Sequence, residues 1–136
     1  MAYWLLKSEP ETWSWQNQVA RGAKGEIWNG VRNFQAAKFL KEMQCGDLAF
    51  FYHSGKERAI VGVVEIIKEH FPDPTDDSGK FVAVTVTAGK SLAHPVTLQQ
   101  LKSDGRFGDF LLLRQPRLSV MPVSKEHWRA INSLAK

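Results

Sequence analysis

The middle of the chain contains three successive segments with strand-like patterns and few residues between them that could form helices. Residues 47–52, 59–69 and 81–93 are each predicted as strands from their apolar and β-branched residues. Over residues 82–87, valines at every second position alternate with alanine or threonine, the period-two pattern of a half-buried strand. Regular βαβ winding needs a helix between successive strands, so this pattern favours a mixed or antiparallel curled sheet.

Two short helices are predicted ahead of these strands, after a first strand over residues 2–7. In the first helix, residues 12–21, Trp15 and Val19 lie at helical spacing and a glycine ends the segment. The second helix, residues 33–43, has four apolar residues at helical spacing. We expect these four to face the core: Phe34, Ala37, Leu40 and Met43.

The C-terminal third combines helix caps with one more strand. Thr97 followed by Gln100 is a capping-box pattern, which predicts a short helix. Ser124 is a candidate N-cap for a last helix that buries Trp128 and Ile131. The elements together predict an α+β fold in which short helices are inserted between strands.

The size and composition of the chain indicate one domain that spans residues 1–136. A chain of 136 residues that is 43% hydrophobic can build one core but not two, and no repeat or linker divides it. The formal net charge is +4 and the sequence pI is about 9.3. This modest basic surplus is compatible with a polyanionic partner but does not require one.

Cysteine usage and hydropathy favour an intracellular location. The N-terminal apolar run of about six residues is too short for a secretion signal, and no stretch approaches the ~20 apolar residues of a membrane helix. The single cysteine, Cys45, cannot form an internal disulfide, and we expect it to be a small buried residue. We expect no metal, cofactor or membrane contact, and a monomer in the cytoplasm of a bacterium or the nucleus of a eukaryotic cell.

Four ordered segments resemble the EVE domain family. They are WLLKSEP at residues 4–10, WNGVRNFQA at 28–36, GDLAFFYHS at 46–54 and LRQPRLSVMP at 113–122. The resemblance covers almost the whole chain. It implies a PUA-like β-barrel, curled from a mixed or antiparallel sheet and related in shape to YTH and ASCH domains. It also implies a reader of modified bases in DNA or RNA, with cytosine modified at its 5-position, such as 5-methylcytosine, as the expected ligand.

The resemblance implies a pocket for one flipped base, which needs a flat surface, an edge partner and a phosphate contact. Trp28 is the candidate stacking surface, although a loop tryptophan can equally fill the core. Asn33 is the candidate for the base edge because its amide carries a donor and an acceptor, and it can also cap the following helix. The other candidate pocket residues are Ser8, Gly30, Val31, Tyr52, His53 and Ser54. Tyr52 and His53 could also simply end a strand, with a half-buried ring and a solvated imidazole.

Charged and polar residues in the same motifs are candidates for contacts with phosphate or sugar at the pocket rim. Arginine suits this task because its guanidinium donates two parallel hydrogen bonds, although most scattered arginines are merely solvated. The rim candidates are Lys7, Glu9, Arg32, Arg114, Gln115 and Arg117.

An enzyme is the main alternative function. Some ASCH domains are amidohydrolases that use a lysine and a glutamate, and Lys7 and Glu9 lie two residues apart. The alternative without catalysis is that Lys7 and Glu9 form a salt bridge with a structural role only. The sequence has no Ser-His-Asp order, metal cluster or nucleotide-binding fingerprint. A non-catalytic nucleic-acid-binding module is therefore preferred over an amidohydrolase acting on a modified nucleoside, and a protein-interaction domain is the third possibility.

Overall fold

One sheet of six strands with five short helices accounts for the chain in the computed structural model, which describes all 136 residues. The strands are β1 (Tyr3–Ser8), β2 (Glu26–Trp28), β3 (Leu48–His53), β4 (Ala59–Pro72), β5 (Val82–Thr97) and β6 (Val120–Val123). The helices are α1 (Trp15–Ala20), α2 (Phe34–Glu42), α3 (Leu98–Ser103), α4 (Leu111–Arg114) and α5 (Lys125–Leu134).

The sheet runs in the order β2-β5-β4-β3-β1-β6 and is mixed, as the sequence predicted. Strands β1 and β3 are parallel, and the other neighbours are antiparallel. The register shifts four times between β4 and β5 and once between β3 and β4. Such bulges bend a strand and increase its twist, so the sheet curls and leaves β2 and β6 as its two edges.

Strand β3 lies at the centre of the core, with aromatic residues packed on both of its faces. On one face Phe50 stacks on Trp128 of α5, with ring centroids 3.9 Å apart. On the other face Phe51 meets Trp15 and Trp28 edge-on, with centroids 5.3 and 5.5 Å away. Neither face of this strand is therefore open to solvent.

The helix caps that the sequence predicted are confirmed. The Thr97 hydroxyl accepts the N–H of Gln100 at 3.1 Å, and the Gln100 side chain accepts the N–H of Thr97 at 2.8 Å. Ser124 caps α5, whose apolar face is buried as expected. Helix α1 begins later than predicted because Ser14 provides its cap.

No sequence pattern predicts β2 or α4. The two elements have three and four residues, too few for a hydrophobic period to be recognised. Strand β2 exists because it pairs with β5, far away in the sequence. None of the five helices has the length and apolar character needed to cross a membrane.

Phe34 is exposed, which contradicts the prediction that it faces the core with Ala37 and Leu40. The residue is 67% exposed, whereas Ala37 and Leu40 are buried. Phe34 is the first residue of α2. Helical side chains point back toward the N-terminus, so its ring extends past the end of the packed face. The ring stacks instead on Phe81, with centroids 4.8 Å apart and planes at 26°.

Cys45 is exposed, in contradiction to the prediction that it is buried. It lies in the turn between α2 and β3, and the buried group that holds this turn is Asp47. The Asp47 carboxylate accepts the N–H groups of Ala2 and Gln44 and the indole N–H of Trp4 at 3.0–3.1 Å. Burial by itself would raise the pKa of Asp47, but these hydrogen bonds outweigh it and lower the pKa. The buried side chain that stabilises this turn is therefore Asp47 and not Cys45.

Replacing Gly62 by alanine is expected to destabilise the fold by about 1–3 kcal/mol. A Cβ at this position would lie 2.4–2.5 Å from three atoms of the Trp15 ring. That ring is buried and its N–H donates to the Ser91 hydroxyl at 2.9 Å, so it cannot move without breaking other contacts. Gly105→Ala is the matched control, because its Cβ would meet no atom within 4 Å. Urea denaturation measures both variants, and equal losses would contradict the steric explanation.

Candidate functional site

A cleft of about 790 Å³ opens where the edge strand β2 approaches the β1 and β6 side of the curled sheet. One wall consists of β2 and the loop over residues 29–33, and the other consists of the end of β1 with Ser119. The turn that contains Trp13, and Ser54 after β3, complete the lining. The volume lies within the range of pockets that bind one small ligand.

Trp28 borders the cleft, but most of its ring belongs to the core. It is the last residue of β2, pairs with Val84 and is only 8% exposed. Its ring meets Phe51 edge-on inside the protein, and its accessible part faces the cleft. Trp28 is therefore mainly a core residue that also borders the cleft, and a stacked ligand would meet only the accessible part of its ring.

Trp13 is a second aromatic wall of the cleft, which no sequence pattern singled out. Its ring is half-buried, and the indole N–H donates to Gln18 at 2.9 Å. The Gln18 side chain is fully buried and donates to the carbonyl of Val86 at 3.2 Å. The orientation of Trp13 is therefore fixed through α1 and β5. The sequence signal that could have identified Trp13 is its position in a turn between Pro10 and Ser14, the N-cap of α1.

His53 was predicted to line the cleft, but it lies outside the cleft and anchors the start of α1. Its Nε2 accepts the N–H of Trp15 at 2.9 Å. Nδ1 therefore carries the proton, which it donates to the Glu57 carboxylate at 2.7 Å. The imidazole is buried and both of its nitrogens are used. It acts on the cleft only indirectly, because the helix that it anchors follows Trp13.

Tyr52 also lies outside the cleft, so the predicted shared cleft of Trp28 and Tyr52 is wrong. Successive side chains of a strand point to opposite faces. Phe51 faces Trp28, and Tyr52 therefore points to the other face of β3, where it is buried. The Lys7 ammonium lies 5.7 Å from the centroid of the Tyr52 ring.

The carboxylate of Asp73 holds the loop that carries Gly30 and Arg32. It accepts the N–H of Gly30 at 2.8 Å and Nη1 of Arg32 at 3.0 Å. Thr75 adds its backbone N–H at 2.7 Å and its hydroxyl at 2.6 Å. Burial opposes the ionisation of this group, but the hydrogen bonds outweigh it and lower the pKa of Asp73 from 3.8 to about 2. The proline-containing loop after β4 therefore shapes the cleft.

Arg32 and Asn33 line the cleft, with part of each side chain already engaged. The Arg32 guanidinium donates to Asp73 at 3.0 Å and to the Thr75 hydroxyl at 2.9 Å. Asn33 Oδ1 accepts the N–H of Ala36 at 2.9 Å, which confirms the predicted cap of α2. The unengaged part of Asn33 is its amide nitrogen, which can only donate.

Lys7 and Glu9 both line the cleft, but no salt bridge joins them. The Lys7 ammonium donates to the carbonyl of Pro116 at 2.8 Å, and burial lowers the pKa of Lys7. Glu9 is exposed and follows the end of β1, so it does not share the strand face of Lys7. The prediction that Lys7 and Glu9 form a salt bridge is therefore wrong.

A hollow of about 320 Å³ adjoins the cleft and shares Asn33 with it. Gln115 and Arg117, which were predicted at the rim, line this hollow rather than the cleft. Arg117 is exposed, and its guanidinium takes part in none of the salt bridges of the chain. Arg114 lies in α4 and lines neither depression.

The structure brings nine predicted residues to the cleft: Lys7, Ser8, Glu9, Trp28, Gly30, Val31, Arg32, Asn33 and Ser54. Besides Trp13, the lining includes five residues that sequence reasoning missed: Thr12, Glu26, Ile27, Asn29 and Ser119. Two of these five, Glu26 and Ile27, belong to β2, which the sequence did not predict. The contacts that any of them makes with a ligand stay predictions. No group of three or more His, Cys, Asp or Glu side chains is placed to hold a metal ion.

Residues 2–134 match the EVE domain family. Human thymocyte nuclear protein 1 is 32% identical over an alignment of 165 residues, which covers 98% of this chain and 73% of the human protein. A solved structure of human THYN1 protein in complex with 5-methylcytosine-containing DNA has a TM-score of 0.92 and 31% identity. The match covers 100% of this chain and 98% of that chain.

Two bacterial structures support the fold. Rpa0253 from Rhodopseudomonas palustris is 51% identical with a TM-score of 0.94, and the match covers 99% of this chain and 93% of that chain. An ASCH protein from Zymomonas mobilis has a TM-score of 0.63 at 12% identity, with full coverage of both chains, and shows likeness of fold alone. The predicted PUA-like fold is confirmed.

Replacing Asp73 by asparagine is expected to cost about 2 kcal/mol of stability at neutral pH, and less in acid. Folding lowers the pKa of this carboxyl from 3.8 to about 2. Its contribution is therefore complete above a pH of about 4 and is lost as the pH falls through about 2. Urea denaturation of wild type and variant across this interval should show the stability difference narrowing toward low pH. Asp77→Asn, at an exposed carboxyl of the same loop, is the control, and a difference that does not vary with pH would contradict the assignment.

Proposed function

Because this chain belongs to the EVE domain family, we propose that it binds nucleic acid and holds one flipped base in the cleft bordered by Trp13 and Trp28. The ligand is DNA or RNA that contains cytosine modified at its 5-position. The family relation supports this ligand class, since human THYN1 protein forms a complex with 5-methylcytosine-containing DNA. The proposal includes no chemical reaction.

The observation that carries the proposal is the composition of the cleft. A pocket for an extruded base needs a flat surface, polar groups for the base edge and a contact for the phosphate. Trp13 and Trp28 supply aromatic surface, and polar side chains of β2 and the following loop lie beside them. These groups converge from two separate parts of the chain on a space of about 790 Å³.

Asn33 and Glu26 supply the two kinds of polar group that a cytosine edge requires. Cytosine presents acceptors at O2 and N3 and a donor at its exocyclic amine. The amide nitrogen of Asn33 is a donor, and its orientation is set in advance because the oxygen of the same side chain caps α2. Glu26 also lines the cleft. Its Oε1 accepts the N–H of Ile27 at 3.2 Å and lies 4.0 Å from Nε of Arg21, and its other carboxylate oxygen can accept from the exocyclic amine, as carboxylates do in base recognition.

The 5-methyl group alone gives only weak selectivity. Burying one methyl group contributes about 0.8 kcal/mol, roughly a fourfold preference. Moving a base out of a duplex costs a few kcal/mol, and stacking recovers about 1–3 kcal/mol regardless of base identity. Recognition of cytosine therefore depends on the edge contacts, and the modification adjusts an affinity that those contacts establish.

The hollow next to the cleft is the proposed site for the phosphate or sugar of the bound nucleotide. It begins at Asn33, so a base in the cleft would place its backbone within reach. Arg117 offers an exposed guanidinium there, outside any salt bridge. Arg32 is less suited to this role than the sequence suggested, because Asp73 already binds it.

A non-catalytic role agrees with the arrangement of Lys7 and Glu9. The Lys7 ammonium binds the carbonyl of Pro116, and its hydrogen bond joins β1 to the segment before β6. Glu9 is exposed and unpaired with it. The likeness to an ASCH structure at 12% identity concerns the fold alone and does not support an enzymatic activity for this chain.

Replacing Trp13 by alanine is expected to weaken binding of a short oligonucleotide with one 5-methylcytosine by about 1–3 kcal/mol, the cost of losing one stacked base. Trp13→Phe, which keeps a ring, should retain most of the affinity. Fluorescence anisotropy measures the affinity, and circular dichroism confirms that each variant is folded. Trp28→Ala is a poorer test, because removing a core tryptophan costs about 3–5 kcal/mol of stability. A folded Trp13→Ala variant that binds like wild type would remove Trp13 from the site.

Replacing Arg117 by alanine is expected to weaken modified and unmodified oligonucleotides equally. A phosphate contact carries no base information, and its loss should reduce the slope of log affinity against log salt by about one. Arg129→Ala removes an exposed arginine of α5, away from the cleft, and serves as the control. Anisotropy titrations at several salt concentrations measure the slope. A loss confined to the modified oligonucleotide would instead place Arg117 at the base.

A further inference from the structure

Phe34 is the most exposed aromatic side chain beside the cleft. It is 67% exposed, and among the large hydrophobic residues of the chain only Met1 is more exposed. Its neighbour Asn33 lines both the cleft and the adjoining hollow, and Arg32 also lines the cleft. A single exposed apolar residue is common on protein surfaces, so a role for Phe34 depends on its position beside the cleft and on what holds its ring.

The ring is exposed but held in position. One face of Phe34 stacks on Phe81 at 4.8 Å between centroids. Phe81 is buried and is fixed by its backbone: its N–H donates to Asp76 at 2.8 Å, and its carbonyl accepts the N–H of Asp73 at 3.0 Å. The loop that shapes the cleft therefore also supports Phe34 from one side.

Exposed lysines lie on both segments that carry this pair of rings. Lys38 is exposed one helical turn further along α2, on the same side of the helix as Phe34. Lys80, which precedes Phe81, is exposed, and the Arg32 guanidinium lies 5.5 Å from the Phe81 ring centroid. The nearby Asp76 carboxylate is occupied by donors from its own loop. Arg32 is paired with Asp73, but Lys38 and Lys80 take part in no salt bridge. An exposed aromatic ring with these lysines on the neighbouring segments suits a partner with negative charges and stacking faces, which describes a nucleic-acid duplex better than an apolar protein surface.

We propose that Phe34 is a wedge that enters the duplex at the position vacated by the flipped base and stacks on the neighbouring bases. The inference rests on the proposed function, since it requires a base in the cleft. A flipped base leaves a gap that costs a few kcal/mol in lost stacking, and apolar side chains inserted between base steps offset such costs in other complexes. Phe34 then stabilises binding to a duplex and contributes nothing to binding of a base that is already free.

The test compares three probes: 5-methyl-2′-deoxycytidine, a single-stranded oligonucleotide with one 5-methylcytosine, and the duplex of that oligonucleotide. Phe34→Ala is expected to weaken duplex binding about tenfold, the scale of losing one base-aromatic stack, and to change the other two affinities less than about twofold. Phe34→Trp should restore duplex binding. Ile67→Ala, at another exposed apolar residue outside the cleft, is the control and should bind like wild type.

Two results would overturn the wedge while leaving the proposed function intact. Unchanged duplex binding by Phe34→Ala would show that the ring does not enter the duplex and would favour a protein partner for this surface. Equal weakening with all three probes would assign Phe34 to the base site itself. Failure of the wild-type protein to bind any of the three probes, or the same single strand and duplex made as RNA, would instead overturn the proposed function, and the wedge with it.

Discussion

Asp73 is a buried residue that joins the loop over residues 29–33 to the distant segment between β4 and β5. It binds the backbone of Gly30 and the guanidinium of Arg32, and its own N–H donates to the carbonyl of Phe81. A buried carboxylate without partners would be strongly unfavourable, so the surrounding donors have to be in place for the chain to fold. The shape of the loop over residues 29–33 follows from this requirement. So does the position of Phe81, on which the exposed ring of Phe34 rests.

The opposite wall of the cleft depends on a second set of buried contacts. Trp15 packs on Gly62 of β4, where only a glycine leaves room for the ring, and His53 accepts the N–H of Trp15. These contacts fix the start of α1, and Gln18 of the same helix sets the orientation of Trp13. The two walls therefore belong to different parts of the core. The cleft exists because the curled sheet brings its β2 edge close to the end of β1.

Several polar residues of the sequence motifs stabilise the structure around the cleft through contacts within the protein. Lys7 binds a backbone carbonyl, Arg32 binds Asp73, and His53 joins Glu57 to α1. If Arg32 or His53 turned to a ligand, it would leave a buried partner with one hydrogen bond fewer, the Asp73 carboxylate or the N–H of Trp15. The groups left to contact nucleic acid are the aromatic surfaces, the amide nitrogen of Asn33 and the exposed cations near the rim. This division suits a rigid binding site that does not rearrange its own polar network.

The amino-acid sequence by itself determined what depends on local pattern. The strand alternation of β5 and the caps at Asn33, Thr97 and Ser124 follow from periodicity and side-chain chemistry within a few residues. The sequence left the sheet as mixed or antiparallel, and the parallel pairing of β1 with β3 makes it mixed. The ordered motifs also pointed to nine residues of the cleft. Tertiary structure decided what depends on distant partners. The short strand β2 forms only by pairing with β5, and Tyr52 leaves the cleft because Phe51 occupies the face of β3 toward Trp28. Trp13 enters the cleft because Gln18 is anchored on β5, and Phe34 is exposed because α2 begins beyond the packed core. No local pattern encodes these outcomes, because each results from which of several possible partners is close in three dimensions.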